Sequence, residues 1–272
     1  MNYQMIVTDL DGTLLKRGAI LSNKTIQTIE KIKKENLTIV IASGRTYGEI
    51  VQLTEPLKLM DYKKAYFICY NGALTVRTRP FSVITKTMIH REDVISIIDA
   101  IGTQNYKYHI FTERTLYLSH DIEKSLEAYQ PKTTKIVRLN MENYHQQEEV
   151  YKMLIYDEKE HLDYLKNNMP EVVKNNYGYV KSNDQLLEIF HKEGSKGNAL
   201  KQLSFILGIN KDQIIAFGDE ENDISMLEYA GMGIAMGNAK NDVLAAAKHI
   251  TLSNEFDGVA VALDKLLFFQ KG

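Results

Sequence analysis

Two carboxylates stand directly after a short apolar run in the stretch Met5-Ile6-Val7-Thr8-Asp9-Leu10-Asp11-Gly12-Thr13. The run before Asp9 predicts a buried strand. In an open α/β sheet, ligands bind beyond the carboxyl ends of the strands, which is where Asp9 and Asp11 would lie. Two aspartates there repel each other in a partly dehydrated pocket unless a cation or a proton is present. The stretch therefore predicts an α/β sheet with a functional carboxylate pair at its edge.

This stretch also permits two other interpretations. Asp-Gly is a common turn pair, so Asp11 could serve a turn alone, but a turn does not explain two aspartates after a buried strand. A calcium-binding EF-hand loop requires three oxygen ligands before its glycine and a glutamate at its twelfth position, where this chain has Ile20. The spacing excludes the EF-hand and favours a functional site.

The first and last thirds of the chain share one alternating pattern. Apolar runs such as 37–42 and 65–70 alternate with amphipathic helical segments such as 196–207. Strands that are apolar on both faces, separated by such helices, are typical of a parallel sheet covered on both sides. We therefore predict the α/β class, with a Rossmann-like, doubly wound parallel-sheet core.

The middle of the chain has a different texture, in which strand-like segments rich in Thr and Tyr alternate with polar helices. This change predicts core segments at 1–78 and 188–272 and an inserted α+β cap domain at 79–187. The interval between Asp11 and Ser43 has room only for a loop and a helix. About 150 residues separate Ser43 from Lys196, more than one or two βα units need, so the cap must lie in that interval.

Composition limits the partners of the chain. With 272 residues, a net charge of −2 and a sequence pI of about 6.4, it does not favour binding to nucleic acid or to an anionic membrane. A single cysteine, Cys69, excludes an internal disulfide and a cysteine-based zinc site. No signal-peptide pattern or bilayer-spanning apolar segment is evident, which predicts a cytoplasmic protein, as a monomer or a small homo-oligomer.

Three further motifs stand at predicted strand ends or helix starts. Ser43-Gly44-Arg45 could donate a hydroxyl and a backbone N–H to a phosphate, although Ser-Gly is frequent at such ends and Arg45 could simply pair with an acid. Lys196 lies in the first turn of a helix, where the dipole disfavours a cation, which suggests an anionic partner; an exposed lysine is the common alternative. Each of these signals is weak by itself.

The third motif, Gly218-Asp219-Glu220-Glu221-Asn222-Asp223, brings several carboxylates to a helix start. Hard oxygen ligands of this kind suit Mg²⁺ together with water and a substrate phosphate. An acidic first turn favoured by the helix dipole is the alternative, but it predicts acidic residues in general and not this order of Asp and Asn. Together the motifs predict one phosphate and magnesium site at one edge of the sheet.

In these motifs and their order, the chain resembles the haloacid dehalogenase superfamily of phosphohydrolases. The resemblance extends to the Cof-type branch through Asn71-Gly72-Ala73, Ser195-Lys196-Gly197 and the closing run from Asn254 to Ala260. It covers both core segments and is weak across the middle, where only the presence of a large insert matches.

The resemblance implies a role for each matched residue. Asp9 would attack phosphorus to form an aspartyl phosphate, and Asp11 would act as the general acid and then the general base. The implied Mg²⁺ ligands are Asp9, the backbone carbonyl of Asp11 and Asp219, with Asp223 orienting the waters of the metal. The implied phosphate-binding residues are Ser43, Lys196 and Asn222, with help from the amides of Leu10 and Gly44.

The expected function is therefore a magnesium-dependent phosphomonoester hydrolase that acts on a small phosphorylated metabolite, such as a sugar phosphate or a phosphorylated cofactor. Two alternatives remain at this point. One is a phosphomutase of the same superfamily, in which the intermediate returns its phosphate to a sugar. The other is a catalytically silent protein that binds a phosphorylated ligand.

Overall fold

The structure is a computed structural model that describes residues 3–102, 106–112, 115–120, 135–139 and 149–268. The chain divides into two compact units, a core unit of Met1–Lys86 with Ser195–Gly272 and a cap unit of Thr87–Gly194. None of the helices within the described ranges is both long and apolar enough to cross a membrane.

Strands and helices within the described ranges are numbered in chain order. The strands are β1 (Met5–Thr8), β2 (Thr38–Ala42), β3 (Ala65–Cys69), β4 (Leu74–Arg77), β5 (Ser82–Lys86), β6 (Lys107–Thr112), β7 (Thr115–Leu118), β8 (Lys135–Arg138), β9 (Val150–Tyr156), β10 (Tyr177–Asn183), β11 (Leu186–His191), β12 (Ile214–Gly218), β13 (Met232–Ala235) and β14 (His249–Ile250). The α-helices are α1 (Asn23–Lys34), α2 (Tyr47–Leu53), α3 (Arg91–Ile101), α4 (Lys159–Asn167), α5 (Glu171–Asn176), α6 (Lys196–Ile206), α7 (Ile224–Tyr229), α8 (Asn241–Ala246) and α9 (Gly258–Leu263).

The core unit is built on one sheet with the strand order β14-β13-β12-β1-β2-β3-β4-β5. Neighbouring strands from β14 to β3 are parallel, whereas β4 pairs antiparallel with β3 and β5 pairs antiparallel with β4. Every residue of β1, β2, β3 and β12 is buried, as expected for central parallel strands that are covered on both faces. This architecture confirms the predicted α/β fold class with a doubly wound core.

Side-chain caps mark where two helices of the core begin. The Ser22 side chain accepts from the N–H of Thr25 at the start of α1, and Thr46 and Glu49 form a reciprocal capping box on α2. Helix α2 ends at Leu53, and a short 3₁₀ turn, Glu55–Leu57, follows. Pro56 explains the break, because proline lacks the N–H that an α-helix needs and disfavours helical geometry in the preceding residue.

The cap unit is a second sheet with the strand order β10-β11-β9-β6-β7-β8. Its pairs are antiparallel except that β7 and β8 are parallel. Alternate side chains of β6 and β9, such as Ile110 and Met153, pack with apolar residues of α3, α4 and α5 into one buried cluster. An α+β unit thus lies between Ser43 and Lys196 in the chain, as the fold prediction required.

The joins between the units lie at other residues than the sequence suggested. The expectation placed them after residues 78 and 187. However, β5 pairs with β4 as the last strand of the core sheet, and β11 pairs along its length within the cap sheet. The units therefore join after Lys86 and Gly194. A hairpin strand and a cap strand carry no linker-like composition, so the sequence gives no marker at either join.

Candidate active site

The first loop of the site begins where β1 ends. The backbone N–H of Asp9 donates to the carbonyl of Phe217 (3.1 Å), so the pairing of β1 with β12 continues to this residue. Gly12 has a φ of +75°, and a Cβ atom at this position would lie 2.2 Å from a carboxylate oxygen of Asp219. Glycine therefore allows the first loop to pass close to Asp219, which a larger residue would prevent.

Lys196 lies at the start of α6 and is 1 % exposed. Its Nζ donates to Oδ1 of Asp9 and to Oδ1 of Asp223, each at 2.7 Å. Ser195 is the N-cap of α6, since its side chain accepts from the N–H of Asn198. The unfavourable position of this cation in the helix dipole is offset by two buried carboxylates, so the anionic partner that the sequence suggested exists within the chain.

The loop that follows β12 is shaped around Asp223, which is fully buried. Its Oδ2 accepts from the N–H groups of Asp219 (2.9 Å) and Glu220 (3.1 Å), while its Oδ1 accepts from Lys196. A Cβ atom at Gly218 would lie 2.4 Å from the Cβ of Asp223. Asp223 therefore fixes both the backbone of its own loop and the ammonium group opposite, and glycine at 218 makes room for it.

Asp9, Asp219 and Asp223 form a group that we call the acidic cluster. Each offers one carboxylate oxygen, and these oxygens lie within 4.8 Å of one another. All three residues are buried, and the ammonium of Lys196 meets two of them. One positive charge therefore faces three carboxylates, which leaves a negative surplus in a site of low dielectric constant.

The pKa values of the site reflect this surplus. Burial raises the pKa of Asp9 well above its ordinary value; Lys196 opposes the shift, and Asp223 and Asp219 add to it. Burial also raises the pKa of Asp219 to about 7, although a hydrogen bond from the Thr13 hydroxyl acts in the opposite direction. Burial alone would lower the pKa of Lys196, but the charges of Asp223 and Asp9 outweigh it and raise that pKa.

The acidic cluster has the composition of a magnesium site. Carboxylate oxygens are the hard ligands that Mg²⁺ takes, and the ion is usually held by one or two of them together with water and a phosphate. The raised pKa values of Asp9 and Asp219 are the electrostatic cost that a divalent cation would relieve. Among the described residues, the cluster is the one group of three or more His, Cys, Asp and Glu side chains arranged to hold a metal ion.

Ser43 and Gly44 follow β2 directly. Ser43 is 2 % exposed, and its hydroxyl accepts from the N–H of Arg45 at 3.2 Å. The carbonyl of Ser43 accepts from the N–H of Asn71, which ties the loop after β2 to the loop after β3. A Cβ atom at Gly44 would lie 3.0 Å from the side-chain oxygen of Asn71, so glycine also keeps these two loops close.

Leu10 and Asn222 occupy different surroundings. The side chain of Leu10 is fully buried, so only its backbone amide is a candidate for phosphate binding. The Asn222 side chain donates to Oδ1 of Asn71 at 2.9 Å, and its own Oδ1 is buried without a hydrogen-bond partner among the described residues. As placed, Asn222 offers an acceptor, which suits a hydroxyl or a water better than a phosphate oxygen.

Asp11 lies outside the acidic cluster, although its neighbour in the motif belongs to it. The two carboxylate oxygens of Asp11 accept from Nε (2.7 Å) and Nη2 (2.9 Å) of Arg45, and about half of the Asp11 side chain is exposed. Arg45 therefore pairs with an acid, which was one of the two roles that the sequence left open for it. The acid is the predicted general acid and base, and not a surface residue remote from the site.

Sequence reasoning missed several residues that hold the site. Thr13 donates to Oδ1 of Asp219 at 2.6 Å. Asn238 donates to the carbonyl of Gly12 (2.9 Å) and to Oδ2 of Asp219 (3.2 Å), and its Oδ1 accepts from the N–H of Asn254. The Asn254 run was noticed only through the family resemblance; for Asn238 the sequence carries no local signal.

Comparison with known proteins shows which family the chain belongs to. Residues 6–263 match the family model of haloacid dehalogenase-like hydrolases. YxeH of Bacillus subtilis is 32 % identical over 97 % of this chain and 98 % of its own length, and the 5-amino-6-(5-phospho-D-ribitylamino)uracil phosphatase YitU of the same organism is 29 % identical over 94 % of both chains. A solved haloacid dehalogenase-like hydrolase from Bacteroides thetaiotaomicron superposes with a TM-score of 0.85 at 27 % identity, covering 97 % of this chain and all of that one. The chain belongs to the haloacid dehalogenase-like hydrolase family.

Proposed function

We propose that the chain is a magnesium-dependent phosphomonoester hydrolase that acts on a small phosphorylated metabolite through an aspartyl-phosphate intermediate. The observation that carries this proposal is the buried acidic cluster with Lys196 hydrogen-bonded to both Asp9 and Asp223. Phosphoryl transfer depends mainly on positioning and on neutralising charge at the phosphate, and this cluster concentrates both functions at the end of β1.

Asp9 is the proposed nucleophile. Lys196 holds one of its carboxylate oxygens at 2.7 Å, which fixes the orientation of the group at the sheet edge. In the first step an Asp9 oxygen bonds to phosphorus as the bond from phosphorus to the alcohol oxygen breaks. In the second step water attacks the same phosphorus, which releases inorganic phosphate and restores the carboxylate. Covalent catalysis of this kind divides one difficult hydrolysis into two easier steps.

Asp9, Asp219, Asp223 and the backbone carbonyl of Asp11 are the groups that would hold Mg²⁺. A magnesium ion there supplies charge neutralisation for the phosphate and the carboxylates around it. Lys196 adds a fixed positive charge, since its raised pKa keeps it protonated. The hydroxyl of Ser43 and the amides of Leu10 and Gly44 are the proposed further phosphate contacts, and the free acceptor of Asn222 suits a hydroxyl or a water beside the phosphate.

Asp11 is the proposed general acid and base. It gives its proton to the alcohol oxygen as that group leaves, and it accepts a proton from the water that attacks the intermediate. Because half of its side chain is exposed, Asp11 is open to exchange of protons and substrates at the sheet edge, unlike the buried members of the acidic cluster.

Relatives support the substrate class without fixing the substrate. Two similar Bacillus subtilis proteins are named as phosphatases: YitU, for 5-amino-6-(5-phospho-D-ribitylamino)uracil, and YwpJ, which is 27 % identical over 97 % of this chain. The substrate named for YitU is itself a small phosphate monoester. We extend the same class, a small phosphorylated metabolite such as a sugar phosphate or a phosphorylated cofactor, to this chain.

The test is a measurement of phosphate release with and without Mg²⁺ across p-nitrophenyl phosphate, sugar phosphates, nucleotides and vitamin phosphates. The wild-type chain should release inorganic phosphate only with the metal, in an amount equal to the substrate consumed. Asp9→Asn should lower turnover by roughly 10⁴-fold or more, because the covalent step is lost. An isomeric sugar phosphate in place of inorganic phosphate, or full activity in Asp9→Asn, would contradict the proposal.

A further inference from the structure

Arg45 links two carboxylates that belong to different elements. Its Nε and Nη2 donate to the two oxygens of Asp11, on the loop after β1, and its Nη1 donates to Oε1 of Glu49 at 3.1 Å, in the first turn of α2. The guanidinium group thus makes a two-point contact with the proposed general acid and a one-point contact with a helix. The acidic cluster has no part in this arrangement.

Glu49 is held in position by contacts that do not involve Arg45. Its Oε2 accepts from the N–H of Thr46 at 2.9 Å, and its own N–H donates to the Thr46 hydroxyl at 3.2 Å, so the capping box holds the side chain in one position. The remaining oxygen, Oε1, is the one that faces Arg45. Glu49 is 9 % exposed, which leaves it little room to adopt another rotamer.

The backbone of Arg45 is fixed as well. Its N–H donates to the hydroxyl of Ser43, and its carbonyl accepts from the N–H of Tyr70 at 3.0 Å. Arg45 is therefore held at its backbone by Ser43 and Tyr70 and at its guanidinium group by Glu49. A planar guanidinium held in this way fixes the plane of the carboxylate that it binds, which a lysine cannot do.

Stability alone is a weak reason for this pair. The Asp11 side chain is about half exposed and that of Arg45 about a quarter. Exposed ion pairs contribute little to the free energy of folding, so little stability depends on the contact. The contact does fix the position of one particular carboxylate, and it leaves each oxygen with a second lone pair for a proton.

We propose that Arg45 is a positioning residue that acts through Asp11, with Glu49 holding Arg45 in place. The inference rests on the proposed function, in which Asp11 protonates the leaving oxygen. As the bond from phosphorus to that oxygen breaks, its electron pair stays on the oxygen, which takes the proton of Asp11. Arg45 transfers no proton and makes no bond to phosphorus; it holds the Asp11 carboxyl where this transfer takes place.

The leaving group tests this role. The sugar alkoxide of a sugar phosphate is a strong base that needs a proton to depart, whereas p-nitrophenolate departs as a stable anion. Arg45→Met should lower kcat/KM for the best sugar phosphate of the panel by roughly 10 to 100-fold, part of the 10² to 10⁴ that general acid catalysis contributes. The loss should be at least about tenfold smaller for p-nitrophenyl phosphate. Equal losses on both substrates would overturn the proposal and make Arg45 a phosphate-binding residue.

A double-mutant cycle supplies the second readout. Arg45→Met in the Asp11→Asn background should add less than about a threefold loss on the sugar phosphate, since the group through which Arg45 acts is already gone. Losses that multiply would show that Arg45 acts independently of Asp11. Arg45→Lys should recover only part of the activity, because a single ammonium does not fix both carboxylate oxygens.

A matched control removes a comparable ion pair. Arg79 donates to Asp61 at 2.8 Å in the same core unit, and both side chains are more than half exposed. Arg79→Met should leave the ratio of the two kcat/KM values unchanged. If the wild-type chain hydrolyses neither substrate, the proposed function itself fails. If it hydrolyses both and Arg45→Met keeps the wild-type ratio, only the role of Arg45 fails.

Discussion

Lys196 in the core unit and Lys152 in the cap unit are both buried beside carboxylates, and the two lysines differ in their balance of charge. In the cap, Lys152 on β9 pairs with Glu188 on β11 at 2.9 Å; both side chains are 2 % exposed, and the ring of Phe111 lies 5.1 Å from the ammonium. In the core, Lys196 meets Asp9 and Asp223, and Asp219 lies beside them.

The charge balance around each lysine distinguishes a structural ion pair from a site suited to bind a ligand. One ammonium and one carboxylate can satisfy each other, so the pair of Lys152 and Glu188 needs no further charge. The acidic cluster has more negative charge than Lys196 balances. The raised pKa values of Asp9 and Asp219 show that ionising these buried carboxyls is unfavourable. A protein retains such a surplus where a cation or a reaction makes use of it.

The largest effect expected from this contrast is on activity. Lys196→Met removes the ammonium between Asp9 and Asp223 and, with it, the positive charge proposed to meet the phosphate. We expect kcat/KM to fall by at least about 10³-fold, equal to about 4 kcal/mol of transition-state stabilisation. The measurement is Mg²⁺-dependent phosphate release at a temperature where circular dichroism shows the variant to be folded. A loss of less than tenfold would remove Lys196 from the proposed mechanism.

The corresponding change in the cap should affect stability. Lys152→Met leaves Glu188 buried without its cation, and breaking a buried pair in this way costs about 3 kcal/mol or more. Guanidinium unfolding followed by circular dichroism should show this loss. The double variant Lys152→Met with Glu188→Leu should recover most of it, because apolar groups of similar size can replace a buried pair. A double variant as unstable as the single one would mean that the pair is more than a neutral structural contact.

The two lysines also show what could be predicted from the sequence. Lys196 was predictable because a cation in the first turn of a helix conflicts with the dipole, and this conflict is visible locally. Lys152 was not, since a charged residue within the run 150–156 is typical of the solvent face of a strand. Its burial follows from the pairing of β9 with β11, which brings Glu188 beside it.

The same distinction applies to the fold and the rest of the candidate site. The strands, their parallel order and Asp9 follow from local apolar runs and from motifs at strand ends. Asn238 and Arg45 act on residues far away in sequence, 226 residues for the contact with Gly12 and 34 for the contact with Asp11. These contacts depend on which loops come together at the sheet edge. No periodicity within a single sequence indicates which loops those are.

The smallest predicted effect concerns a titrating group near the cap lysine. His109 on β6 is 1 % exposed, and its ring stacks on that of His120 at 5.3 Å. Burial, together with the charges of His120 and Lys152, lowers the pKa of His109 to about 4. Among the described residues its ring nitrogens have no hydrogen-bond partner, which accords with a neutral, desolvated ring.

The sign of the pH effect follows from this lowered pKa. Between the ordinary value of about 6.5 and the folded value of about 4, the unfolded chain binds more protons than the folded chain, so stability must fall as the pH falls through this window. The loss from pH 7 to pH 4.5 should be on the order of 2 kcal/mol for this one group.

His109→Phe keeps an aromatic ring for the stack and should remove that part of the pH dependence in guanidinium unfolding. His161→Gln, a change at an exposed histidine of the same unit, should leave it intact. If His109→Phe loses stability on acidification as steeply as the wild type, protonation of His109 does not contribute to the pH dependence.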